Sequence, residues 1–399
     1  MTVIQRQAFP DQLRGLALLG IIVVNAPFLA ISGFGYSDAS LATVWDATVA
    51  FLVTMLATGK FYVIFSFLFG YSALFILKDG SAVNRPVYRR RLIALLILGI
   101  AHVVLFFVGD ILVTYALLGF ALLLFFKRSD RALWITALIA WLVAACWVIG
   151  LAVLLAVVTA LFPEVDTGEL TELGGYDAAM ADGTFWQGIV ERVKLYPTAL
   201  IGVLLGQGIL AFGIFCLGLL AARHRFLGRL DDFRVWFRRM AIWGLAIGLP
   251  LQFAFTWFIV GPGVIDLPAA DPLRQLASAF HFVTGPVLSA GYVGALALLT
   301  MRHPRALDVF ASPGRASLTI YLGESVLLSV IFCGWGFGLF GALGAAAVTA
   351  IAIGCWAVLA IAMTLWLRKF SQGPLEAAVG IWTKAPLRKS ADVHEPAGA

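Results

Sequence analysis

Two apolar runs separated by two residues constrain this chain more than any other feature of its sequence. Residues 92–108 and 111–126 are each close to the roughly 20 residues that a helix needs to cross the hydrocarbon core of a bilayer. Basic residues flank the outer end of each run, and only Gly109 and Asp110 separate the two runs. The pattern predicts a membrane hairpin with both basic ends on one side of the bilayer and Asp110 at the opposite tip.

The composition of the chain is typical of a multi-pass membrane protein. Of its 399 residues, 61% are hydrophobic and 13% are charged, which leaves too little polar surface for a soluble protein. The net charge of +6 comes from loops, so membrane topology accounts for it and no nucleic-acid partner is predicted. Four cysteines lie in apolar runs without a CxxC pair, so the sequence predicts neither a disulfide framework nor a metal site.

The apolar runs predict an all-α, polytopic fold with about ten transmembrane helices in a single domain, residues 1–399. Gly59 and Lys60 interrupt the second run, which is either one bent span after an interfacial helix or a re-entrant piece followed by a span. The predicted spans are about 13–31, 44–77, 92–108, 111–126, 132–162, 197–222, 240–260, 275–300, 317–334 and 345–367.

The distribution of lysine and arginine predicts the orientation of these spans. With alternating spans and both termini in the cytoplasm, nearly all basic residues lie inside; the exceptions are Lys60, Arg192, Lys194 and Arg274. Residues 163–196 then form an extracytoplasmic insertion. Its first part is acidic, and its second part, TFWQGIVERVKLYP, predicts an amphipathic helix in the membrane interface. Residues 369–399 form a cytoplasmic tail.

Ionisable side chains inside the predicted spans are the candidate functional residues, because each costs about 2.5–3.5 kcal/mol at a helix centre on insertion scales. They are Lys60, His102, Asp110, His281 and Glu324, with Asn25 and Tyr115 as neutral companions. Packing alternatives stay open: Asn25 can bond across to another helix, Lys60 can reach an interface, and Asp110 can be a solvated turn or a helix cap. Glu324 lies well inside a span and needs a proton or a cation partner.

If the protein is an enzyme, His102 is the natural proton acceptor near neutral pH, and Asp110 is a candidate to orient it. The two are eight residues apart, which is about 12 Å of rise in one straight helix. That spacing excludes direct contact within such a helix but allows both to line one cavity. No nucleophile elbow, Walker loop, HExxH or dinucleotide fingerprint occurs in a usable context.

Several segments together resemble the bacterial YeiB-like family, which is defined by a C-terminal membrane domain of unknown function. The resemblance covers most of the chain, and its motifs occur in the family's order. The segments are RGLALLGIIVVN (14–25), GKFYVIFSFLFG (59–70), the hairpin from 89 to 119, GRASLTIYLGES (314–325) and GPLE (373–376). At 324 this chain has Glu, where Gln is commoner in the family. The resemblance implies a multi-pass protein of the bacterial plasma membrane.

The first of these motifs also resembles the start of heparan-α-glucosaminide N-acetyltransferase and related membrane acyltransferases. Those proteins take an acyl group from cytoplasmic acyl-CoA and deliver it to a hydroxyl or amine on the far side of the membrane. The resemblance implies that Asn25 lies near the transfer site and Arg14 near the cytoplasmic entrance. Residues 26–44 lack the His that the acetyltransferase has there, so His102 or His281 is expected to supply the base.

The first functional hypothesis is therefore a membrane-embedded acyltransferase. In it, acyl-CoA is the donor, a small molecule or glycan is the acceptor, and no metal takes part. His102 is the general base, Asp110 orients it, and Asn25 and Tyr115 polarise the carbonyl. Further predicted contacts are Arg89, Arg90, Arg91 and Arg315 to the CoA phosphates, and Arg14, Lys60, His281 and Glu324 to substrate.

The second hypothesis is a transporter or exporter of a small lipid-soluble or acidic metabolite. In that case Lys60, Asp110, His281 and Glu324 are substrate or proton sites. The absence of an inverted repeat in the sequence argues weakly against it. A membrane component without catalytic activity is the third possibility, and a homodimer is a possible assembly for all three.

Overall fold

All regular secondary structure in the described residues is helical. The computed structural model describes residues 8–78, 80, 84–162, 175–261 and 271–384. Its helices are α1 (Ala8–Ala30), α2 (Val44–Leu56), α3 (Phe61–Leu77), α4 (Asn84–Leu105), α5 (Leu112–Phe125), α6 (Asp130–Leu161), α7 (Tyr176–Ala181), α8 (Phe185–Val203), α9 (Ile209–Arg223), α10 (Arg234–Val260), α11 (Pro272–Arg302), α12 (Asp308–Arg315), α13 (Ser317–Phe332), α14 (Ala345–Trp366) and α15 (Pro374–Lys384).

Each predicted span coincides with one or two of these helices, which confirms the all-α, multi-pass architecture. Seven helical segments in the described residues are long and apolar enough to cross a bilayer, or eight if the α12–α13 pair, bent by 86°, counts as one span. The hairpin helices α4 and α5 do not meet that criterion, because α4 begins with several arginines and α5 has 14 residues. The count of ten and the cytoplasmic termini therefore stay predictions.

The core is organised around α1, whereas α6 lies at the periphery. In their most apolar stretches, 61% of α1 but only 11% of α6 is buried inside the protein. The largest apolar core joins α1, α13 and α14 to the hairpin turn through Ile22, Leu328, Val348 and Leu112. Helix α6 exposes apolar side chains along its length, so this surface suits contact with lipid rather than with water.

The interruption predicted at Gly59 and Lys60 is present. Helix α2 ends at Leu56 and α3 begins at Phe61, so four residues separate two helices of one candidate span. Gly59 has φ +81°, a conformation that residues with a Cβ rarely adopt. The break turns the Lys60 side chain back toward the end of α2, where it finds its partners.

The hairpin differs from its prediction in where the first helix ends. The sequence predicts apolar helix to 108 and a turn of two residues, but α4 ends at Leu105 and six residues, 106–111, precede α5. The His102 carbonyl accepts from the backbone N–H groups of both Phe106 (2.8 Å) and Phe107 (3.0 Å), and these two bonds complete the last turn of α4. The chain therefore folds back earlier than its apolar pattern indicates.

The predicted boundary between the amphipathic helix and span six, at 196/197, is wrong. Helix α8 continues through Pro197 and passes by a π-helical turn, Leu204–Gly208, into α9. The result is one helical segment, Phe185–Arg223, of 39 residues. Residues 163–174, the larger share of the acidic part of the predicted insertion, and the tail residues 385–399 lie outside the described residues. Within the predicted tail, Pro374–Lys384 form α15.

Gly99 permits α4 and α5 to approach closely beside the turn. A Cβ at this position would lie 2.8 Å from the Val113 backbone nitrogen and 2.9 Å from Oδ1 of Asp110. By contrast, a Cβ at Gly150 on α6 would meet nothing within 4 Å. The packing of the hairpin therefore leaves no room for a side chain at position 99, whereas α6 has open space beside position 150.

We expect Gly99→Ala to destabilise the protein by about 1–3 kcal/mol, because added volume in a close-packed contact forces backbone shifts. The matched control Gly150→Ala should leave stability unchanged, or raise it by at most about 1 kcal/mol through helix propensity. Thermal unfolding in detergent measures both variants. Equal melting temperatures for the two would contradict the assigned contact at Gly99.

Candidate active site

A buried pair of His102 and Asp110 occupies the turn of the hairpin. Nδ1 of His102 lies 2.7 Å from Oδ2 of Asp110, and both residues are at most 3% exposed. The spacing argument excluded contact only within one straight helix, and α4 ends before Asp110, so the two side chains can meet. The early end of α4 lets the chain return, and Asp110 is a buried helix cap rather than a solvated turn.

Three elements hold the Asp110 carboxyl group in place. Its Oδ1 accepts from the backbone N–H of Val113 at 2.9 Å, which caps the start of α5. The Tyr321 hydroxyl on α13 lies 3.4 Å from Oδ2 and accepts from the backbone N–H of Ile111 at 3.1 Å. The carboxylate is therefore bound to the turn, to α4 through His102 and to α13 through Tyr321.

The second ring nitrogen of His102 is buried and has no hydrogen-bond partner within the described part of the protein. When Nδ1 carries the proton that Asp110 accepts, Nε2 presents a lone pair. The His102 ring lies against Tyr321, with ring centroids 5.4 Å apart, and against Phe107 at 6.3 Å. This is the arrangement of an oriented imidazole base: one nitrogen fixed by a carboxylate and the other available to a proton donor.

A cavity of about 600 Å³ extends from the basic end of the protein to Tyr321, which contacts this pair. Neither His102 nor Asp110 is among its lining residues, whereas Leu112, two residues after Asp110, is. Aromatic rings of α3, including Phe65 and Phe69, line one wall, and α15 lines another. The cavity therefore joins an arginine-rich mouth to an apolar interior, and Tyr321 connects its lining to the buried imidazole.

Arg91 and Arg315, two of the predicted donor-binding residues, line the mouth of the cavity together with Arg14, a predicted substrate contact, whereas Arg89 and Arg90 are not among its lining residues. Successive helical residues point about 100° apart, so three consecutive arginines cannot face one site. Arg14 is held by Asp11 at 2.8 Å and by the Ser72 hydroxyl at 3.0 Å.

One face of α4 connects the mouth to the base. Arg91 and His102 are eleven residues apart, which is close to three turns and about 16 Å of rise, so both lie on one side of the helix. Leu95 lies on the same face, one turn after Arg91, and lines the cavity. An extended ligand with an anionic end at Arg91 would therefore point its other end toward His102.

Two residues of this site, Tyr321 and Glu376, are not among the sequence-based candidates. The Glu376 carboxylate accepts from the backbone N–H groups of Leu318 (2.6 Å) and Thr319 (3.3 Å), and so caps the start of α13. It also accepts from the Thr319 hydroxyl at 2.7 Å. Both residues lie in segments that resemble family motifs, GRASLTIYLGES and GPLE, so this resemblance could have identified them.

Lys60 and His281, predicted independently, form a second buried cluster. Nζ of Lys60 lies 3.1 Å from the carbonyl oxygen of Thr54, 2.7 Å from that of Thr58 and 3.0 Å from Nε2 of His281. Lys60 is 0% exposed, and no carboxylate pairs with it among the described residues. The carbonyls belong to the C-terminal end of α2 and the residues after it, so the Lys60 amine donates to groups that the helix leaves without partners.

The remaining candidates have separate surroundings. The Tyr115 hydroxyl bonds the Ser66 hydroxyl at 2.5 Å and donates to the Tyr62 carbonyl at 3.1 Å, away from the imidazole nitrogens. Asn25 is half-buried in α1 and does not line the cavity. Glu324 is 3% exposed, its Oε1 lacks a hydrogen-bond partner and it forms no ion pair within the described residues.

The buried polar groups singled out from the sequence therefore do not surround one chamber. Arg14, Arg91, Arg315 and Tyr321 line the cavity, and His102 and Asp110 lie behind Tyr321. Lys60, His281, Tyr115 and Asn25 are absent from its lining. The site that can combine a charged ligand with an oriented base is the cavity and the hairpin turn.

Comparison with known proteins finds one matching family model and several relatives that align over most of the chain. Residues 221–385 match a family model described as "Protein of unknown function (DUF418)". Over 399 aligned residues the chain is 29% identical to "Uncharacterized protein YxaH" of Bacillus subtilis, which covers 92% of this chain and 91% of the relative. No solved structure matches.

Two further relatives match over nearly their full length. "Uncharacterized protein YeiB" of Escherichia coli is 27% identical, with 96% of this chain and 97% of the relative covered. The "Uncharacterized 39.9 kDa protein in amylase 3'region" of Bacillus acidopullulyticus is 27% identical, with 96% of each covered. None of these names states an activity.

Proposed function

The chain belongs to the YeiB-like family of multi-pass membrane proteins, and we propose that it is a membrane-embedded acyltransferase. In this proposal the donor is a cytoplasmic acyl-CoA, and the acceptor is a hydroxyl or amine reached from the membrane or from its far side. The setting is the bacterial plasma membrane, with the arginine-lined mouth of the cavity facing the cytoplasm.

One observation carries the proposal: a basic cavity ends at Tyr321, which lies against a buried imidazole that a carboxylate orients. The mouth offers Arg14, Arg91 and Arg315, which suit the phosphates of a nucleotide thioester. The apolar interior suits the uncharged arm of such a donor. Because the pair of His102 and Asp110 is excluded from water, a proton transfer there is protected from competition by solvent.

The reaction balances with the groups present. The acceptor oxygen or nitrogen attacks the thioester carbonyl carbon, so that a new C–O or C–N bond forms and the C–S bond breaks. Nε2 of His102 takes the proton of the acceptor and then returns it to the departing CoA sulfur. Asp110 keeps Nδ1 protonated and stabilises the imidazolium that forms in between, while Tyr321 holds the carboxylate in position.

Transport is the second candidate function, and the break between α2 and α3 favours it. Broken helices with exposed carbonyls and a buried charge are characteristic of substrate and ion sites in transporters. Here the carbonyls of Thr54 and Thr58 meet the Lys60 ammonium group and His281 at such a break. In this alternative a small acidic metabolite would cross the membrane beside Lys60.

We expect His102→Gln to lower the rate of thiol release from acyl-CoA by about 10²- to 10⁴-fold, the contribution typical of a general base. The assay uses inside-out membrane vesicles from cells expressing the protein, so that the cell's own acceptors are present, with acetyl-, butyryl- and palmitoyl-CoA as donors. The exposed His303, changed to Gln, is the matched control and should retain full activity. The absence of protein-dependent thiol release with every donor would refute the proposal.

Donor binding provides a comparison within one helix. We expect Arg91→Ala to weaken binding of CoA to the purified protein by about tenfold or more, because it removes a charged hydrogen-bond donor to phosphate. Arg89→Ala changes a neighbouring arginine that does not line the cavity, so its dissociation constant should equal that of the unchanged protein. Isothermal titration of CoA measures both. Equal losses in the two variants would show that only overall charge matters.

A variant at Lys60 separates the two candidate functions. Lys60→Met removes a group that lies outside the cavity lining, so we expect thiol release to persist in correctly folded protein while His102→Gln abolishes it. Proteoliposomes loaded with radiolabelled short-chain carboxylates should show no protein-dependent flux. Flux that is lost in Lys60→Met but retained in His102→Gln would instead establish transport.

A further inference from the structure

Arg192 on α8 is fully buried beside the hairpin turn. Its Nε donates to the carbonyl oxygen of Val104 at 3.1 Å, and one terminal nitrogen donates to that of Leu105 at 3.0 Å. The other terminal nitrogen lies 3.3 Å from the Met180 sulfur. No carboxylate pairs with this guanidinium within the described residues, so its partners are backbone carbonyls and a sulfur.

These two carbonyls are the last of α4, in the same helical turn as His102. Carbonyls at a helix C-terminus have no partner within the helix, and inside an apolar protein they must find one elsewhere. A guanidinium with parallel donors satisfies two of them at once and places positive charge at the negative end of the helix. Arg192 therefore stabilises the termination of α4 at Leu105.

That termination creates the contact between His102 and Asp110. If α4 continued to 108, the two residues would be about 12 Å apart along the helix axis. Instead the chain turns after Leu105 and returns Asp110 to Nδ1 of His102. The structure also provides room for the guanidinium, since a Cβ at Gly188, one turn earlier on α8, would lie 3.2 Å from it.

We propose that Arg192 is a positioning residue of the acyl-transfer site, which acts through the end of α4 to hold His102 against Asp110. This inference rests on the proposed function. The predicted extracytoplasmic insertion thereby contributes directly to the geometry of the base.

The test compares Arg192→Met, Arg192→Lys and the control Lys194→Met, whose side chain on the same helix is largely exposed. Three quantities are measured on the full chain in detergent or vesicles: the dissociation constant for CoA, the turnover number for thiol release, and amide hydrogen exchange of peptides covering 102–113. The dissociation constant reports on the cavity, the turnover number on the reaction, and the hydrogen exchange on the hairpin turn.

We expect Arg192→Met to lower turnover by about 100-fold, the effect of a displacement of about 1 Å at a catalytic group. CoA binding should stay unchanged, and exchange should accelerate in 102–113 but not in the first half of α4. Arg192→Lys should recover most of the turnover, because it restores a cation that donates to the carbonyls. Lys194→Met should match the unchanged protein in all three.

The outcomes distinguish this inference from the proposed function. Normal turnover and normal exchange in Arg192→Met would overturn the positioning role while leaving acyl transfer intact. Loss of CoA binding together with turnover would also overturn it, because that pattern indicates a general structural role. Accelerated exchange at the turn, in a protein that releases no thiol from any donor, would support the structural link and refute acyl transfer.

Discussion

The end of α4 at Leu105 is the constraint on which the candidate site depends. A helix that stops inside an apolar protein leaves backbone carbonyls without partners, and no water is available there to replace them. Here the carbonyl of His102 accepts from two amides of the turn, and Arg192 of α8 donates to the carbonyls of Val104 and Leu105. With those groups bonded, the chain can reverse direction, and the carboxylate of Asp110 reaches the imidazole.

Features that depend on local composition could be predicted from the sequence. The length and apolarity of the runs gave the multi-pass helical fold, since crossing a bilayer sets a minimum length for each helix. A glycine followed by a lysine within an apolar run indicated the break between α2 and α3, and the structure has it there. The candidate residues were found because ionisable groups are rare in such runs, which singled out His102, Asp110 and Lys60.

Pairings between distant segments could not be predicted in the same way. Lys60 and His281 are 221 positions apart, and Arg192 meets a carbonyl 88 positions earlier, so only the packing of helices brings them together. The contact of His102 with Asp110 was missed for a different reason. Apolar residues continue to 108, and periodicity alone gives no sign that the helix stops at Leu105. Glu376 was missed because a lone carboxylate near the tail gives no sign of the helix start that it caps.

The two buried polar clusters differ in how fully their hydrogen-bonding groups are used, and this difference favours one of them for chemistry. Nζ of Lys60 contacts two backbone carbonyls and Nε2 of His281, and that ring nitrogen also contacts the Thr54 carbonyl at 3.0 Å, so both nitrogens have partners. Any ligand there would have to displace bonds that stabilise the end of α2.

At the hairpin turn, Asp110 occupies Nδ1 of His102, and Nε2 has no partner within the described protein. A polar atom buried in this way is costly to stability, as groups retained for function commonly are. Neither His102 with Asp110 nor Lys60 with His281 lines the cavity, but Asp110 contacts the lining residue Tyr321. Both differences favour the proposed assignment of proton transfer to His102 and of a structural role to Lys60.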